Sequence, residues 1–540
     1  MIKHRILKTP GVTALVLAGT LGLGGCDNSL TESPPHILVA DNLFNDNAGF
    51  EAAVNGLYAL VREDRMGAIS VSSVNDLRNE MWALGTDIAW GLYYPPNLQG
   101  YNLWGPYINP DFSTGRSNWS WLYRTINTAN TIIGRAENPD VQWTESQKNI
   151  VVGEARLLRA WAYRHLIYLW GDVPLNLEES SGNSIRTDWE RTPVDQVRQQ
   201  MEEDLLFAEQ VLPNTTADAA HVSRAVAQHY LSELYLAAGR PAEAEQKAEA
   251  VIASGDYQLI TERYGVRANE PGVPFMDQFV DGNVNRSQGN TEALWTFQNE
   301  LETPGGGGSP MRRHWVNRYW NIPGVAISEE YGGRGIGSDA ITAWAINNYE
   351  PQDDRGSHYA IRKFYLYNTT TGLPEGKELG DTVYLQWEEG TESSTSWDWP
   401  STRKWDWMEP GNPTGTRAFG DQPYLRLAET YLLAAEAEME QGKLDEAAEH
   451  LNVVRRRANA SEISAADVTL DFILDERARE LLSEENRRHT LIRTGTWLER
   501  TRLYNPVAGP NIAEHNRLYP IPQVVIDANL DAEMPQNPGY

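Results

Sequence analysis

Few side chains in this sequence are spaced for reaction chemistry. The most conspicuous polar run is Glu476-Arg477-Ala478-Arg479-Glu480-Leu481, followed by Glu484, Arg487, Arg488 and Arg493. Such carboxylates and guanidiniums could form an acid/base site. However, Glu476 and Glu480 stand one helical turn apart, and Arg479 lies three residues beyond Glu476, the spacings at which such groups pair on helices. The run is expected to hold a scaffold together. With 74 acidic residues in the chain, no glycoside-cleaving pair can be chosen, because that chemistry is set by a separation across a cleft. The ten histidines show no HExxH or comparable spacing, so no transition-metal site and no cofactor is expected. Asp281-Gly282-Asn283-Val284-Asn285 opens like a calcium loop, but Arg286 stands where the next glycine is needed. Gly332 to Gly337 is glycine-rich without a following amphipathic helix, and no GxSxG motif occurs. No catalytic residue is nominated, and the chain is expected not to be an enzyme.

The aromatic residues are more informative. There are 19 Trp and 24 Tyr against 10 Phe, a bias toward rings with a polar handle. A pyranose offers an apolar C–H face to such a ring, and its hydroxyls need polar partners at the edge. Two segments supply that mixture. One carries Trp82, Trp90, Tyr93, Tyr94 and Trp104 beside Asn79, Asp87 and Asn97; the other carries Trp315, Tyr319 and Trp320 beside Arg312, Arg313 and Asn317. These are the candidate ligand-binding residues, although any one such ring is more often core. Trp397 to Trp407 forms a third aromatic cluster.

Charge and leader restrict the setting. The chain has 540 residues and a formal charge of −28, which repels phosphate backbones and argues against a nucleic-acid partner. The first 25 residues contain Lys3, Arg5 and Lys8 but no acid, so their removal takes the charge to −31. Val12 to Leu23 is too short to span a bilayer and reads as the apolar part of a signal peptide. It ends in Leu23-Gly24-Gly25-Cys26, a lipobox whose thiol, the only cysteine of the chain, is the expected lipidation site. A lone cysteine excludes an internal disulfide framework.

Elements that could position the candidates follow in order. Residues 26–46 are a polar tether, 47–254 a helical region, and 255–540 a second region: loop-rich over 255–423, helical over 424–500, with an extended tail over 501–540. Leu158, Trp161, Ala162, His165, Leu166 and Leu169 give one helix an apolar face that ends at Gly171 to Pro174. Two helical hairpins share a pattern. Ala227, Leu231, Leu234 and Ala238 precede a turn at Gly239; Leu425, Ala428, Leu432, Ala435 and Met439 precede one at Gly442. Gly239, Glu243, Ala244 and Val251 match Gly442, Glu446, Ala447 and Val454 at one constant offset, the small-residue pattern of tetratricopeptide-like pairs. Short strands are expected in TEALWTFQNE and DTVYLQW. The expected fold is mainly α: a tetratricopeptide-like helical hairpin scaffold with long irregular loops and a few short strands.

Several of these segments resemble one family. FEAAVNGLYALVRE, INTANTIIGRAE, GEARLLRAWAYRHLIYLWGDVPL, YLRLAETYLLAAEAEMEQGKLDEAAEHLNVVRRRA, ILDERARELLSEENRRHTLIRTG, LYPIP and the terminal QNPGY occur in order, and together they resemble the SusD/RagB outer-membrane lipoproteins. The resemblance implies a lipid-anchored protein of the cell outer membrane, facing outward. Its partner would be a SusC-like TonB-dependent barrel, and its role non-catalytic capture of glycans for import. A peptide-binding lipoprotein of the same architecture is the nearest rival. A lipid-anchored helical glycoside hydrolase and a purely structural lid on the barrel are the others.

Overall fold

The computed structural model describes residues 43–66, 78–91, 96–182, 184–218, 220–303, 305–392 and 397–540. The anchor expected at Cys26 and the candidate rings Tyr93 and Tyr94 lie outside these described residues. Phe44–Tyr540 forms one unit.

The order of helices follows local signals. Helix α1 (Asn47–Met66) precedes α2 (Ser113–Arg135), and the longest, α3 (Glu145–Trp170), comes next. Thr144 and Gln147 start α3 with a reciprocal capping box, and Gly171 ends it at φ 74°. Its sequence promises one apolar face, yet from Val151 to Trp170 almost every side chain is buried, because α2 and α4 (Val194–Val211) flank it. The polar residues of the remaining face are paired instead of solvated. Arg159 grips Asp204 through two bonds of 2.7 and 2.8 Å, and Arg164 meets Glu233 at 2.8 Å.

The two related hairpins are α5 (Arg224–Ala237) with α6 (Pro241–Ile252), and α7 (Leu427–Glu440) with α8 (Leu444–Arg457). Their turns place Gly239 and Gly442 at φ 68° and 77°, conformations glycine adopts without steric cost. Far apart in sequence, the pairs are neighbours in space. α6 packs on α7, Gln441 and Lys443 reach Glu245, and a ring nitrogen of His229 meets the Thr430 hydroxyl at 2.9 Å. Buried alanines at 244, 248, 428, 435 and 447 permit the close approach. Leu425 is an exception to the expected helix. It belongs to a strand, Gln422–Arg426, because it faces a strand partner where the helix would have begun.

The expected strands are Ala293–Phe297, which pairs antiparallel with Gln422–Arg426, and Thr382–Tyr384, which pairs with Phe364–Leu366. Two further antiparallel ribbons join Ala89–Gly91 to Asp339–Ile341 and Ile361–Arg362 to Ser401–Thr402. The tail over 501–540 is not uniformly extended, since Gln523–Ala528 is helical. Among the described residues no helix is long and apolar enough to cross a membrane.

Scaffold and loops are joined by buried charge. Helix α9 (Leu470–Glu480) carries Glu476 and Glu480, both wholly buried. Glu476 accepts from Arg355 and Arg455 at 2.7 Å and from Arg479, its i+3 neighbour, at 2.8 Å. Glu480 meets Arg426 at 2.9 Å, Arg355 at 3.1 Å and Arg457. Arg426 and Arg457 also engage Glu292, and Arg426 and Lys404 engage Glu484. The polar run thus ties α8 and α9 to strand Gln422–Arg426 and to the loops bearing Arg355 and Lys404. Removing one member of such a cluster strands the others, which typically costs about 3–5 kcal/mol.

Two outcomes follow. Glu480→Gln should lower unfolding free energy by about 3–5 kcal/mol in urea titration, and far more than Arg186→Ala on the exposed Asp188 pair. Burial alone would raise the Glu476 pKa, but Arg355, Arg479 and Arg455 outweigh it and hold the carboxyl at about 2. A folded-state pKa below the unfolded value of about 4.3 stabilises at neutral pH, and that share is lost as pH falls toward 2. Urea midpoints measured between pH 7 and pH 2.5 should therefore fall steeply below pH 4.5, and less so in Glu476→Gln.

Candidate functional site

The three aromatic segments converge. Trp90, in strand Ala89–Gly91, packs edge-on against Trp399 with ring centroids 6.1 Å apart at 84°. The Trp399 indole N–H donates to the carbonyl of Ile341, in the partner strand, at 2.8 Å. Asn317 completes the junction: its amide N–H donates to the carbonyls of Trp399 at 2.7 Å and Trp397 at 3.3 Å, and its oxygen accepts from the Tyr365 hydroxyl at 2.6 Å. Segments distant in sequence, Trp90 with Trp399 and Asn317 with Trp397 and Trp399, are thereby held as one frame.

Most residues expected to face a ligand belong to the interior of that frame, which corrects their expected role. Trp82 is buried among Trp121, His165 and His489, with centroids at 6.5, 4.7 and 5.7 Å. Trp90 and Trp315 are buried as well. Asp87 is fully enclosed, bound by Arg487 at 2.6 and 2.8 Å and by Arg500 at 2.9 Å. Burial opposes its charge, yet Arg487 and Arg500 hold its carboxyl below the usual range. Trp104 is buried against Trp497 and Tyr519, with the Arg488 guanidinium 4.9 Å from its ring, so it anchors the C-terminal tail. Arg312 is buried and donates to the carbonyls of Arg334 and Gly415, pinning two loops; burial brings its pKa down to about 10. Tyr319 stacks on Tyr365 at 4.8 Å and donates to the Gly333 carbonyl at 2.7 Å. Asn317 is spent on the junction. The physical reason is common to all: large rings and arginines that brace long loops must be buried to do so.

What the frame presents outward is narrower. Trp320 is half-buried, its N–H donating to the Gly335 carbonyl at 2.9 Å. Arg334 and Arg318 lie 4.9 and 5.6 Å from its ring centroid. Burial lowers the Arg313 pKa, and the nearby Arg334 lowers it further. Among the described residues neither Arg313 nor Arg334 has a carboxylate partner, so positive charge collects here on an otherwise acidic chain. Trp397 is 37% exposed, the largest exposed indole of the junction. Arg318 and Arg334 were not singled out from sequence. Arg318 lies between Asn317 and Tyr319 of the second aromatic segment, but nothing local marks Arg334, which sits in the glycine-rich loop.

The loop of Arg334 also contributes Glu329 to a cleft of about 420 Å³, whose lining includes Arg263, Met276, Tyr359, Arg403, Trp407 and Met408. Two of its carboxylates are committed to ion pairs: Asp277 to Arg263 at 2.7 Å, and Asp406 to Arg403 at 3.0 Å and to Arg362. Burial opposes the Asp406 charge, but Arg362 and Arg403 keep its carboxyl ionised. The calcium-like turn is likewise occupied. Asn283 caps Val266 at 2.8 Å and donates to the Asp277 carbonyl at 3.0 Å.

Comparison with known proteins agrees with this architecture. Residues 274–540 match the model of the SusD family, and residues 93–236 match a model described as "Starch-binding associating with outer membrane". The chain is 28% identical to SusD-like protein P2 of Formosa agariphila over 99% of its own length and 100% of that protein. It is 35% identical to the starch-binding protein SusD of Bacteroides thetaiotaomicron over a shorter stretch, 25% of each chain. Among solved structures, a laminarin-binding SusD-like protein superposes with a TM-score of 0.71 at 22% identity, covering 92% of this chain and 100% of that one. Surface glycan-binding protein A from Bacteroides thetaiotaomicron, in complex with laminarihexaose, superposes with a TM-score of 0.69 at 19% identity, covering 91% and 100%. Family models matched at residues 93–236 and 274–540, a full-length relative and a shared tetratricopeptide-like helical fold lead to one conclusion: the chain belongs to the SusD/RagB family.

Proposed function

We propose that this protein captures glycans without cleaving them, at the outward face of the loop frame, and passes them to a SusC-like TonB-dependent barrel. Cys26 would carry the lipid that keeps the body at the outer membrane, facing outward. The observation that carries the reading is the convergence of three aromatic segments on a braced frame that leaves Trp397 and Trp320, with Arg318 and Arg334, at its edge. An indole supplies the apolar surface a sugar ring needs, and the guanidiniums supply donors to its hydroxyls or to carboxylate or sulfate substituents. Family membership supports glycans as the ligand class, as do neighbours whose names record laminarin and laminarihexaose. Asp406 in the cleft is held ionised by Arg362 and Arg403, so it does not supply the raised-pKa general acid that a glycoside hydrolase needs.

Calorimetric titration of the mature protein should give saturable binding of an oligosaccharide, with no product detected by chromatography. The panel should include laminarihexaose, starch oligosaccharides, uronic and sulfated oligosaccharides, and short peptides. Binding of peptides alone would replace the glycan reading, and released product would replace the non-catalytic one. Trp397→Ala should weaken binding by roughly tenfold, the equivalent of about 1.4 kcal/mol, with unfolding temperature unchanged. Trp320→Ala should weaken it similarly and also lower the unfolding temperature, since that ring packs on the cluster around Tyr319 and bonds Gly335. If Trp407→Ala alone weakens it, the ligand sits in the cleft. Cys26→Ala should move the protein from the membrane fraction to the soluble one.

A further inference from the structure

Glu80, His314 and Asp339 come from three segments far apart in sequence and meet in the interior beneath the loop frame. Glu80 opens the short helix Glu80–Ala83, His314 lies in the helix Met311–Trp315, and Asp339 begins the strand that pairs with Ala89–Gly91. Their side chains are only 1–2% exposed. The His314 Nδ1 atom is 3.0 Å from the nearer Glu80 oxygen and 3.9 Å from Asp339 Oδ1, and one ligand atom from each residue lies within 4.8 Å of the other two. Metal–nitrogen and metal–oxygen bonds of about 2.0–2.2 Å place neighbouring donor atoms roughly 3–4 Å apart, so the three atoms already surround a position such an ion could take.

Charge makes the case independently of spacing. Many buried carboxylates elsewhere in this protein meet arginine, among them Asp87 with Arg487 and Arg500, Asp204 with Arg159, Glu233 with Arg164, and Glu476 with Arg355 and Arg455. Asp339 has no arginine or lysine partner among the described residues; its one ion-pair contact is the distant His314 Nδ1 at 3.9 Å, and neither of its carboxylate oxygens makes a short hydrogen bond. An ionised carboxylate left so in the interior is costly. A divalent ion would neutralise both acids, use a neutral imidazole, and satisfy the Asp339 oxygen. One imidazole with two carboxylates suits zinc or a similar first-row ion better than calcium or magnesium, which prefer all-oxygen shells.

We infer that Glu80, His314 and Asp339 bind a divalent transition-metal ion of the zinc class that clamps the floor of the loop frame. Residues 80, 314 and 339 share no local motif, which is why histidine spacing gave no hint of such a site. The ion is structural here: it joins the segment before Trp90, the segment before Asn317 and the strand beneath Trp399.

The test uses the full mature chain, purified without chelator. Elemental analysis should find about one equivalent of a divalent transition metal, EDTA should lower the unfolding temperature, and ZnCl2 should restore it. Asp339→Asn and His314→Gln should each lose the metal. Should a variant fail to fold, cobalt substitution of the wild-type protein decides: bound Co2+ should give a visible absorption band that Zn2+ abolishes. Protein free of metal, with no thermal response to EDTA or ZnCl2 and no cobalt band, would reduce the trio to an internal ion triad and overturn the assignment. So would metal retained in full by both variants.

Discussion

The buried carboxylate–arginine cluster on Glu476 and Glu480 is the constraint from which the rest of the molecule follows. A pair of hairpins can pack through alanines and leucines alone. The loop-rich stretch 255–423 packs apolar clusters of its own, one around Tyr319 and Tyr365 and one around Phe275 and Phe279, and must still be tied to those helices. The cluster resolves this by reaching out of the helices: Arg355 and Lys404 come from the loops, Arg426 from a strand, and Arg455 and Arg457 from α8. Each guanidinium is fixed by more than one acceptor, so it specifies geometry as well as sign. Such a cluster is not the most stabilising filling for an interior, but it makes the wrong arrangement expensive.

The same device recurs closer to the candidate site. Asp87 receives Arg487 and Arg500 from the C-terminal helices, so the first aromatic segment is held by residues some 400 positions away. Arg488 lies between Trp104, Trp497 and Tyr519, which fastens the tail to that segment. Arg312 holds the glycine-rich loop and the loop at Gly415. A surface that must bind a flexible sugar gains from such bracing, since little loop ordering is left to oppose association. The frame spends most of its rings inside and exposes only a few.

The scaffold was legible in the sequence because its signals are local. The helix around Trp161, the stops at Gly171, Gly239 and Gly442, and the i+3 pair of Arg479 with Glu476 each depend on residues within a turn or two. The structural reading of the Glu476–Glu480 run could be made for the same reason. Leu425 was misplaced because a strand running directly into a helix leaves no break in the apolar pattern. The site was legible only as a set of segments. The segment from Arg312 to Trp320 and the stretch from Trp82 to Trp104 do meet, but sequence cannot say which indole turns inward. Burial of Trp82, Trp90 and Trp104 depends on His165, Trp399 and Tyr519, contacts of high sequence separation. The Glu80–His314–Asp339 trio is the extreme case, with no two members close enough along the chain to form a pattern.

The central claim is a division of labour, in which helices and buried charge hold the loops and the loop frame's outer rim meets the ligand. Hydrogen–deuterium exchange of the mature protein, free and saturated with the oligosaccharide that titration selects, addresses it directly. Added protection should appear in peptides covering 313–320, 332–337 and 397–399, with exchange in the hairpins 224–252 and 427–457 unchanged. Protection confined to the hairpins, with those loops unaffected, would contradict the account.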